Sequence, residues 1–454
     1  MSNLDDLRNP WISLLSQGKF EEADKFYWEA IFPEIEDLFI KKSSFSEQCD
    51  WLILPVGLES SYYILLIKAI KPKQVYFLGT QEFKNNFLDK IVEKSGLKPS
   101  QYIIDIIGYD RMDVADVYNK IRSRLDSFLG KKVIMDLTRG KRILTVGSGI
   151  VGAFFGFDLV YIDEDWIDNL KRGLPGSEKL VLVKNPFEVF GDLELREARD
   201  FFAHYNYGAA LALYKRIKNK IIDPREVEIE ELLSEAYLHW NAFNFKAASG
   251  KLNQVISKSS QYSLKLPENV KKNMQVLEIL NSDKPTDSNL YHLHLIMDLY
   301  ANALRKSEVG VFEDSISRLY RLLELISQYR LKAYNIDTLS PDLKKYENEY
   351  NLATKEIYGF EKNLPMEIGL KDGYLLLFIF HDFLLQGYAL HDLKQMFGVI
   401  RARDMSIIAH GLQLAGEKVF INMNNLAKMF IKSLCHEQGR DFSDILSQHT
   451  FAKL

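Results

Sequence analysis

The sequence predicts an α/β domain with a parallel sheet, followed by an all-α connector and an all-α C-terminal domain. Three observations support this fold class. Short apolar runs alternate with helical patterns from about residue 50 to residue 184, strand patterns nearly disappear after about residue 190, and 454 residues exceed the needs of one ordinary core. The domains are predicted at 1–48 (an N-terminal helical segment), 49–190 (α/β), 191–288 (connector) and 289–454 (C-terminal helices).

Composition and charge fit a soluble globular protein without a strongly basic surface. Hydrophobic residues make up 47% of the chain and charged residues 26%, and the formal net charge is −4. Any contact with nucleic acid is therefore expected to be local. The two cysteines, Cys49 and Cys435, are far apart in the sequence. They exclude a disulfide framework and a cysteine zinc site, and they fit a reducing cytoplasm.

The α/β domain is predicted from apolar runs that are each long enough for a buried strand. Five of them are Asp50–Gly57, Gln74–Thr80, Tyr102–Gly108, Lys132–Leu137 and Asp158–Asp163. A sixth run, Lys179–Lys184, is expected at the edge of the sheet. Because helical patterns separate the strands, we predict a parallel sheet that is covered on both faces.

One stretch of this domain has the length of a membrane span. Ile143–Ile162 is twenty residues long, and Asp158 is its one charged residue. Because the flanking segments are predicted strands of one sheet, we interpret the stretch as a buried helix followed by a buried strand, with a break at Gly156. No membrane role is expected.

The same stretch contains Gly147-x-Gly149-x-x-Gly152, the letters of a dinucleotide-binding fingerprint. That fingerprint needs a strand directly before it, whereas the nearest predicted strand ends ten residues earlier at Leu137. We interpret the glycines as small residues that let one helix pack closely on the sheet. An NAD-dependent oxidoreductase remains as an alternative, and it requires Gly149 for activity.

Two segments of the connector resemble each other at an offset of 38 residues, Ala198–Ile217 and Ala236–Ile256. Each is an aromatic-rich helix followed by a short break and a second helix, and Ala301–Ile326 is a looser third copy. Such pairs are reminiscent of tetratricopeptide repeats. They leave open the alternative of a non-catalytic helical scaffold or regulator that senses a nucleotide.

Polar residues and glycines follow three strands of the predicted sheet, in Pro55–Ser60, Gly79–Gln81 and Asp136–Arg142. In a parallel sheet these ends meet at one edge, where ligands bind near helix N-termini. Thr138 is predicted to cap the next helix, and Gly140 to let backbone approach a ligand. The pattern predicts a nucleotide-sized site, and the alternative is a capped helix whose basic side chains face solvent.

A second candidate site lies near residue 400. Arg403 and His410 are seven residues apart, which places them about 20° from eclipsed on a helix, with Ser406 between them. Histidine moves protons near neutral pH and arginine holds two phosphate oxygens, so the pair fits cleavage of RNA without a metal. The alternative is an ordinary helix whose arginine pairs with Asp404 or another neighbour.

These features, in this order, resemble the CRISPR-associated CARF–HEPN ribonucleases of type III systems. The resemblance covers about residues 50 to 440, and the string around His410 is its most specific part. The residues that carry it are Pro55-Val56-Gly57, Asp136-x-Thr138-x-Gly140-Lys141, Asn302-Ala-Leu-Arg305, Arg318-Leu-Tyr-Arg321-Leu-Leu-Glu324-Leu-Ile-Ser-Gln328 and Arg403-Asp404-x-Ser406-x-x-Ala409-His410-Gly411.

The resemblance implies a Rossmann-like CARF domain that senses cyclic oligoadenylate, either tetra- or hexa-adenylate. It implies a HEPN domain that then cleaves single-stranded RNA in antiviral defence, without a metal or other cofactor, and homodimers of both domains. Arg403 and His410 would be catalytic, with Asp404 and Ser406 in the same catalytic segment. The RNA 2′-hydroxyl would attack its own phosphate and leave a 2′,3′-cyclic phosphate. The ligand pocket would be lined by Gly57, Ser60, Thr80, Thr138, Arg139, Gly140 and Lys141.

The sequence departs from this family in one loop. Family members often carry two glycines between the threonine and the lysine, whereas Arg139 stands before Gly140 here. The arginine would narrow the pocket or add a phosphate contact. The ring size of the activator therefore stays open, as does the question of whether the CARF domain degrades its activator.

Overall fold

The computed structural model describes residues 3–43, 48–108, 113–185, 187, 189, 191–282, 287–404, 412 and 414–454, and of residues 402 and 404 it describes the backbone only. The chain divides into two compact units. The first unit contains the residues up to Asp192 together with Lys220–Ile222, and the second contains Leu193–Asn219 and Asp223–Leu454.

The first unit is built on a sheet that confirms the predicted α/β fold. Its strands are β1 Trp51–Pro55, β2 Gln74–Gly79, β3 Tyr102–Ile106, β4 Val133–Asp136, β5 Asp158–Asp163, β6 Trp166–Ile167, β7 Arg172–Gly173 and β8 Lys179–Val183. Six of them pair in the order β3-β2-β1-β4-β5-β8. All pairs are parallel except β5 with β8, which makes β8 the predicted edge strand. The short antiparallel pair β6–β7 was not predicted.

Helices cover the sheet on both faces, as the alternating pattern predicts. They are α1 Asn3–Ser16, α2 Phe20–Phe26, α3 Phe32–Lys42, α4 Ser61–Ile70, α5 Gln81–Asn86, α6 Leu88–Ser95, α7 Val114–Arg122, α8 Leu125–Phe128 and α9 Arg142–Phe154. A π-helical turn, Tyr27–Ile31, joins α2 to α3. Two separate apolar clusters lie in this unit, and the first three helices contribute to one of them.

The stretch from Ile143 to Ile162 forms helix α9 and strand β5, as predicted. A Cβ on Gly152 would lie 2.8 Å from side-chain atoms of Leu159 and Met135, and one on Gly147 would lie 3.1 Å from Val117. These glycines therefore let α9 pack closely on the sheet and on α7. Among the described residues, no helix has both the length and the apolar character needed to cross a membrane.

The second unit is helical throughout the part that the structure describes. Its helices are α10 Asp192–Ala203, α11 Tyr207–Lys218, α12 Arg225–Asn241, α13 Phe245–Tyr262, α14 Glu268–Leu280, α15 Ser288–Glu308, α16 Phe312–Ala333, α17 Glu347–Tyr358, α18 Leu370–Ile379, α19 Leu390–Asp404, α20 Glu417–Glu437 and α21 Phe442–Gln448. Helices α15 to α21 share one apolar core.

The three similar segments are helix pairs with the same turn. Tyr205, Phe243 and Gly310 each adopt a positive φ, and each lies two residues before the second helix of its pair. In the first two pairs, an asparagine then accepts a bond from the backbone of the new helix, Asn206 from Ala209 and Asn244 from Ala247. The likeness seen in the sequence is thus a shared turn geometry.

Candidate functional site

The predicted ligand residues lie at one edge of the sheet, because β2, β1 and β4 are neighbours and parallel. Here two glycines bring the backbones together. A Cβ on Gly57 would lie 2.9 Å from Gly140 Cα, and Gly140 itself adopts a φ of +138°. The Gly57 amide also donates to the Tyr63 hydroxyl at 2.8 Å. The loops after β1 and β4 are therefore in direct backbone contact.

Thr138 does not cap the next helix, so that prediction was wrong. Its hydroxyl donates to the Asp136 carboxylate and accepts from the Ile162 amide at 2.8 Å. The N-cap position of α9 is occupied by Lys141, three positions later, whose side chain makes no capping bond. The Asp136 carboxylate and the Ile162 amide bind the hydroxyl in place of the helix amides. Thr138 therefore links the end of β4 to β5.

Asp136 is a buried carboxyl at the floor of this edge. Its Oδ1 accepts bonds from the amide and hydroxyl of Thr138, whereas Oδ2 has no hydrogen-bond partner among the described residues. Burial raises the pKa of Asp136 to about 7, against the lowering effect of the Thr138 bonds.

Arg139 is held by acidic and aromatic side chains. Its Nη2 donates to Glu164 at 2.6 Å and to the Tyr62 hydroxyl at 3.0 Å, and its Nε lies 3.4 Å from Glu59. The guanidinium carbon is 4.6 Å from the centre of the Tyr62 ring. Two carboxylates therefore balance its charge, which disfavours the additional phosphate contact that the sequence suggested.

The remaining predicted ligand residues are Thr80, Ser60 and Lys141. Thr80 is buried and caps α5 by accepting from the Phe83 amide at 3.3 Å, and Ser60 is buried at the start of α4. Lys141 is half-buried at the start of α9. Three helices thus begin at this edge of the sheet. Thr80 occupies one first-turn amide of α5, whereas no side chain caps α4 or α9, so the first amides of these two helices are available to an anionic ligand.

A cavity of about 320 Å³ adjoins the predicted ligand residues. Ser60, Tyr62 and Arg139 line one side of it, and Trp11 and Trp28 from the N-terminal helices line another. The sequence did not indicate that the N-terminal segment reaches this edge. The role of the two adjacent tyrosines after Ser60 was missed as well. The Tyr63 hydroxyl accepts from the glycine loop, and the Tyr62 hydroxyl accepts from Arg139.

In the second unit, Arg403 lies in the last turn of α19 and its guanidinium carbon is 4.3 Å from the centre of the Tyr320 ring on α16. Ile400, one turn earlier, is fully buried, as expected for the core side of this helix. Ser406 and His410 lie outside the described residues, and so does the Asp404 side chain. The geometry of the predicted catalytic pair is therefore described for its arginine alone.

A buried polar cluster of the second unit escaped the sequence analysis. His294 Nδ1 lies 3.0 Å from His449 Nε2, and His449 Nδ1 lies 3.4 Å from Asp298. Burial, with His449 beside it, lowers the pKa of His294 to about 3. Next to this cluster, Phe451 stacks on Tyr237 of α12 with 4.1 Å between the ring centres. The histidines thus hold residue 449 against α15, and the Phe451 stack holds the following residues against the connector. A separation of 155 residues hid the histidine pair from any spacing argument.

Comparisons with known proteins match both helical parts of the chain. Residues 190–282 match the sequence model of the Csm6 6H domain, and residues 288–434 match that of the Csm6 HEPN domain. Over 458 residues the chain is 24% identical to the CRISPR system endoribonuclease Csm6 of Thermus thermophilus, with 96% of each chain covered. A solved structure of Enterococcus italicus Csm6 bound to cyclic hexa-2′-fluoro-hexa-dAMP covers 88% of this chain and 98% of its own, at 11% identity and a TM-score of 0.47.

In this chain a mostly parallel α/β sheet is followed by two helical regions that match Csm6 domain models. The two matched ranges span just over half of the chain. The chain contains the 6H and HEPN domains of the Csm6 family, which confirms the resemblance seen in the sequence.

Proposed function

We propose that this chain is an endoribonuclease of type III CRISPR defence that cyclic oligoadenylate activates and that cleaves single-stranded RNA without a metal. One observation carries the proposal: Arg403 lies on a helix of the region that matches the Csm6 HEPN domain, seven residues before His410. The Thermus relative, similar over 96% of this chain, is named an endoribonuclease.

The proposed chemistry needs one cation and one group that moves protons. The RNA 2′-oxygen attacks the adjacent phosphorus while the bond to the 5′-oxygen breaks. The products are a 2′,3′-cyclic phosphate and a 5′-hydroxyl. His410 transfers a proton at the 2′-hydroxyl or the departing 5′-oxygen, and Arg403 stabilises the additional charge on the phosphate oxygens. Asp404 and Ser406 belong to the same segment and are proposed to support this pair.

The proposed activator site is the sheet edge around Gly57 and Gly140. The close backbones there leave the uncapped starts of α4 and α9 for an anionic ring. Ser60, Thr80 and Lys141 surround this contact, whereas Thr138 and Arg139 act by holding the loop in place.

A homodimer is part of the proposal, and α9 supplies a surface for it. Ile143, Val146, Ile150 and Phe154 form an apolar stripe on this helix and are 38 to 56% exposed. An uncharged stripe can pair with its own copy without repulsion, and exposed apolar patches of this kind mark interaction sites. Because α9 begins directly after Lys141, a pair of α9 helices would bring two ligand loops together.

The test is cleavage of a fluorescent single-stranded RNA in EDTA, with cyclic tetra- or hexa-adenylate added separately. We expect cleavage by the wild type with one of the two rings and none by His410→Ala. Equal cleavage by the variant would remove Arg403 and His410 from the mechanism. Absence of cleavage with either ring would favour the scaffold interpretation.

The dimer has its own test. Ile150→Asp places a charge in the middle of the α9 stripe, so we expect the dimer to dissociate in light scattering and activation to be lost. Leu129→Asp is the matched control, because Leu129 is an exposed apolar residue of the same unit outside α9. A monomeric wild type would contradict this part of the proposal.

A further inference from the structure

The strings Asn302-Ala-Leu-Arg305 and Arg318 to Gln328 carry part of the family resemblance, but the proposed chemistry does not use them. Asn302 is fully buried in the middle of α15. A buried amide in a helical core is costly unless its donors and acceptor are all bonded. A buried asparagine at this position therefore points to a role that an apolar residue cannot fill.

Asn302 joins three helices through one side chain. Its Nδ2 donates to the backbone oxygen and to the Oδ1 of Asn241, both at 3.1 Å, and Asn241 is the last residue of connector helix α12. On the other side, its Oδ1 accepts from Arg318 Nε of α16 at 2.6 Å. The end of the connector helix is thereby bonded to α15 and, through α15, to α16.

Further hydrogen bonds and an ion pair surround the Asn302 bonds on α12, α15 and α16. Arg305 Nε donates to Asn241 Oδ1 at 3.1 Å. Arg318 Nη1 donates to the backbone oxygen of Asp314 at 3.0 Å, and the Asp314 carboxylate lies 3.6 Å from Lys306 of α15. A shift of α12 relative to α16 would break buried bonds at Asn302, each of which costs more to lose than an exposed one.

The same α16 supports the proposed catalytic arginine. Tyr320 follows Arg318 by two residues, and the Arg403 guanidinium lies on the Tyr320 ring. Helix α16 is continuous over 22 residues from Phe312 to Ala333. A movement imposed at Arg318 therefore moves the Tyr320 ring as well.

We propose that Asn302 is a positioning residue for Arg403. The Asn302 bonds transmit the position of connector helix α12 to α16, and α16 in turn sets the placement of the arginine. The inference rests on the proposed activated ribonuclease and names a part of its regulation.

The test compares RNA cleavage with and without saturating activator in full-length variants. Asn302→Asp keeps an acceptor for Arg318 but has no N–H for Asn241, so it separates the connector from α16 without removing the partner of Arg318. We expect the ratio of activated to unactivated rate to fall about tenfold. Asn302→Leu and Arg318→Met should lower the same ratio.

Asn273→Leu is the matched control. Asn273 is also a fully buried asparagine of this unit, and its Nδ2 donates to Gln448 and Thr450 oxygens at 2.8 and 3.1 Å rather than to α16. We expect it to lower the melting temperature without changing the activation ratio.

The outcomes are distinguishable. If the wild type is activated and both Asn302 variants keep its ratio, this inference is wrong and the proposed function stands. A wild type that no activator stimulates would overturn both. If Asn302→Leu fails to fold, Asn302→Asp decides alone, because its carboxylate still satisfies Arg318.

Discussion

The two candidate sites are built from different parts of the chain. At the sheet edge, the backbones of Gly57 and Gly140 make the contact, and the neighbouring side chains of Thr138 and Arg139 are already bonded within the protein. In the helical unit, the site depends on the side chain of Arg403, which lies on an aromatic ring. A site made by backbone is sensitive to the size of its residues and tolerates changes in the chemistry of nearby side chains. A site made by a guanidinium is sensitive to the chemistry of that one side chain.

The largest expected effect tests the side-chain site. Arg403→Ala should reduce activated RNA cleavage by about 10²- to 10³-fold, because a positioned cation that stabilises transition-state charge is lost. Activator affinity, measured by calorimetry, should stay unchanged. Arg401→Ala is the control, since Arg401 is an exposed arginine of the same helix. Equal losses for both arginines would contradict the assignment.

The next effect concerns the buried carboxyl beneath the backbone site. Because the pKa of Asp136 is raised in the folded state to about 7, the folded protein binds its proton more tightly than the unfolded chain. Stability should therefore fall as the pH rises from about 4 to 7, by about 2 to 4 kcal/mol, and Asp136→Asn should remove this part of the dependence. Denaturant unfolding of both proteins across this range is the measurement. The buried Glu178, whose pKa burial also raises to about 7, contributes with the same sign and stays in both.

A smaller effect is expected from a single methyl group at the backbone site. Gly140→Ala places a Cβ 2.9 Å from the Pro55 oxygen at a φ of +138°. We expect activator affinity to fall about tenfold, because the loop must move to accommodate the methyl group, at a cost of about 1–2 kcal/mol in backbone strain. Gly108→Ala, where a Cβ would meet nothing within 4 Å, is the control in an affinity measurement. Wild-type affinity in Gly140→Ala would show that the contact is not part of the ligand site.

The smallest effect should come from Arg139→Gln. Glu164 and Glu59 already balance the guanidinium, and the Thr138 bonds still hold the loop when Arg139 is replaced, so we expect activator affinity to change by about threefold or less. A loss of tenfold or more in calorimetry would mean that Arg139 leaves these carboxylates to bind a phosphate. The comparison between a backbone site and a side-chain site would then have to be revised.

The sequence predicted those features that depend on local pattern. The strands β1 to β5 follow from apolar runs, and the meeting of Gly57 with Gly140 follows from parallel strand order. The partners of individual side chains did not follow, because they come from distant parts of the chain. Thr138 bonds to Ile162, Arg139 to Glu164, and His294 to His449, and only the folded topology brings these residues together.

The stacking of Phe451 on Tyr237 has a consequence for biosynthesis. The connector helix α12 cannot complete its aromatic contacts until residues about two hundred positions later have left the ribosome. The segment with Arg403 is translated before that contact can form. We expect a nascent chain to carry its proposed cutting residues for some time without the finished framework around them, a delay that would spare the RNA of the translating cell.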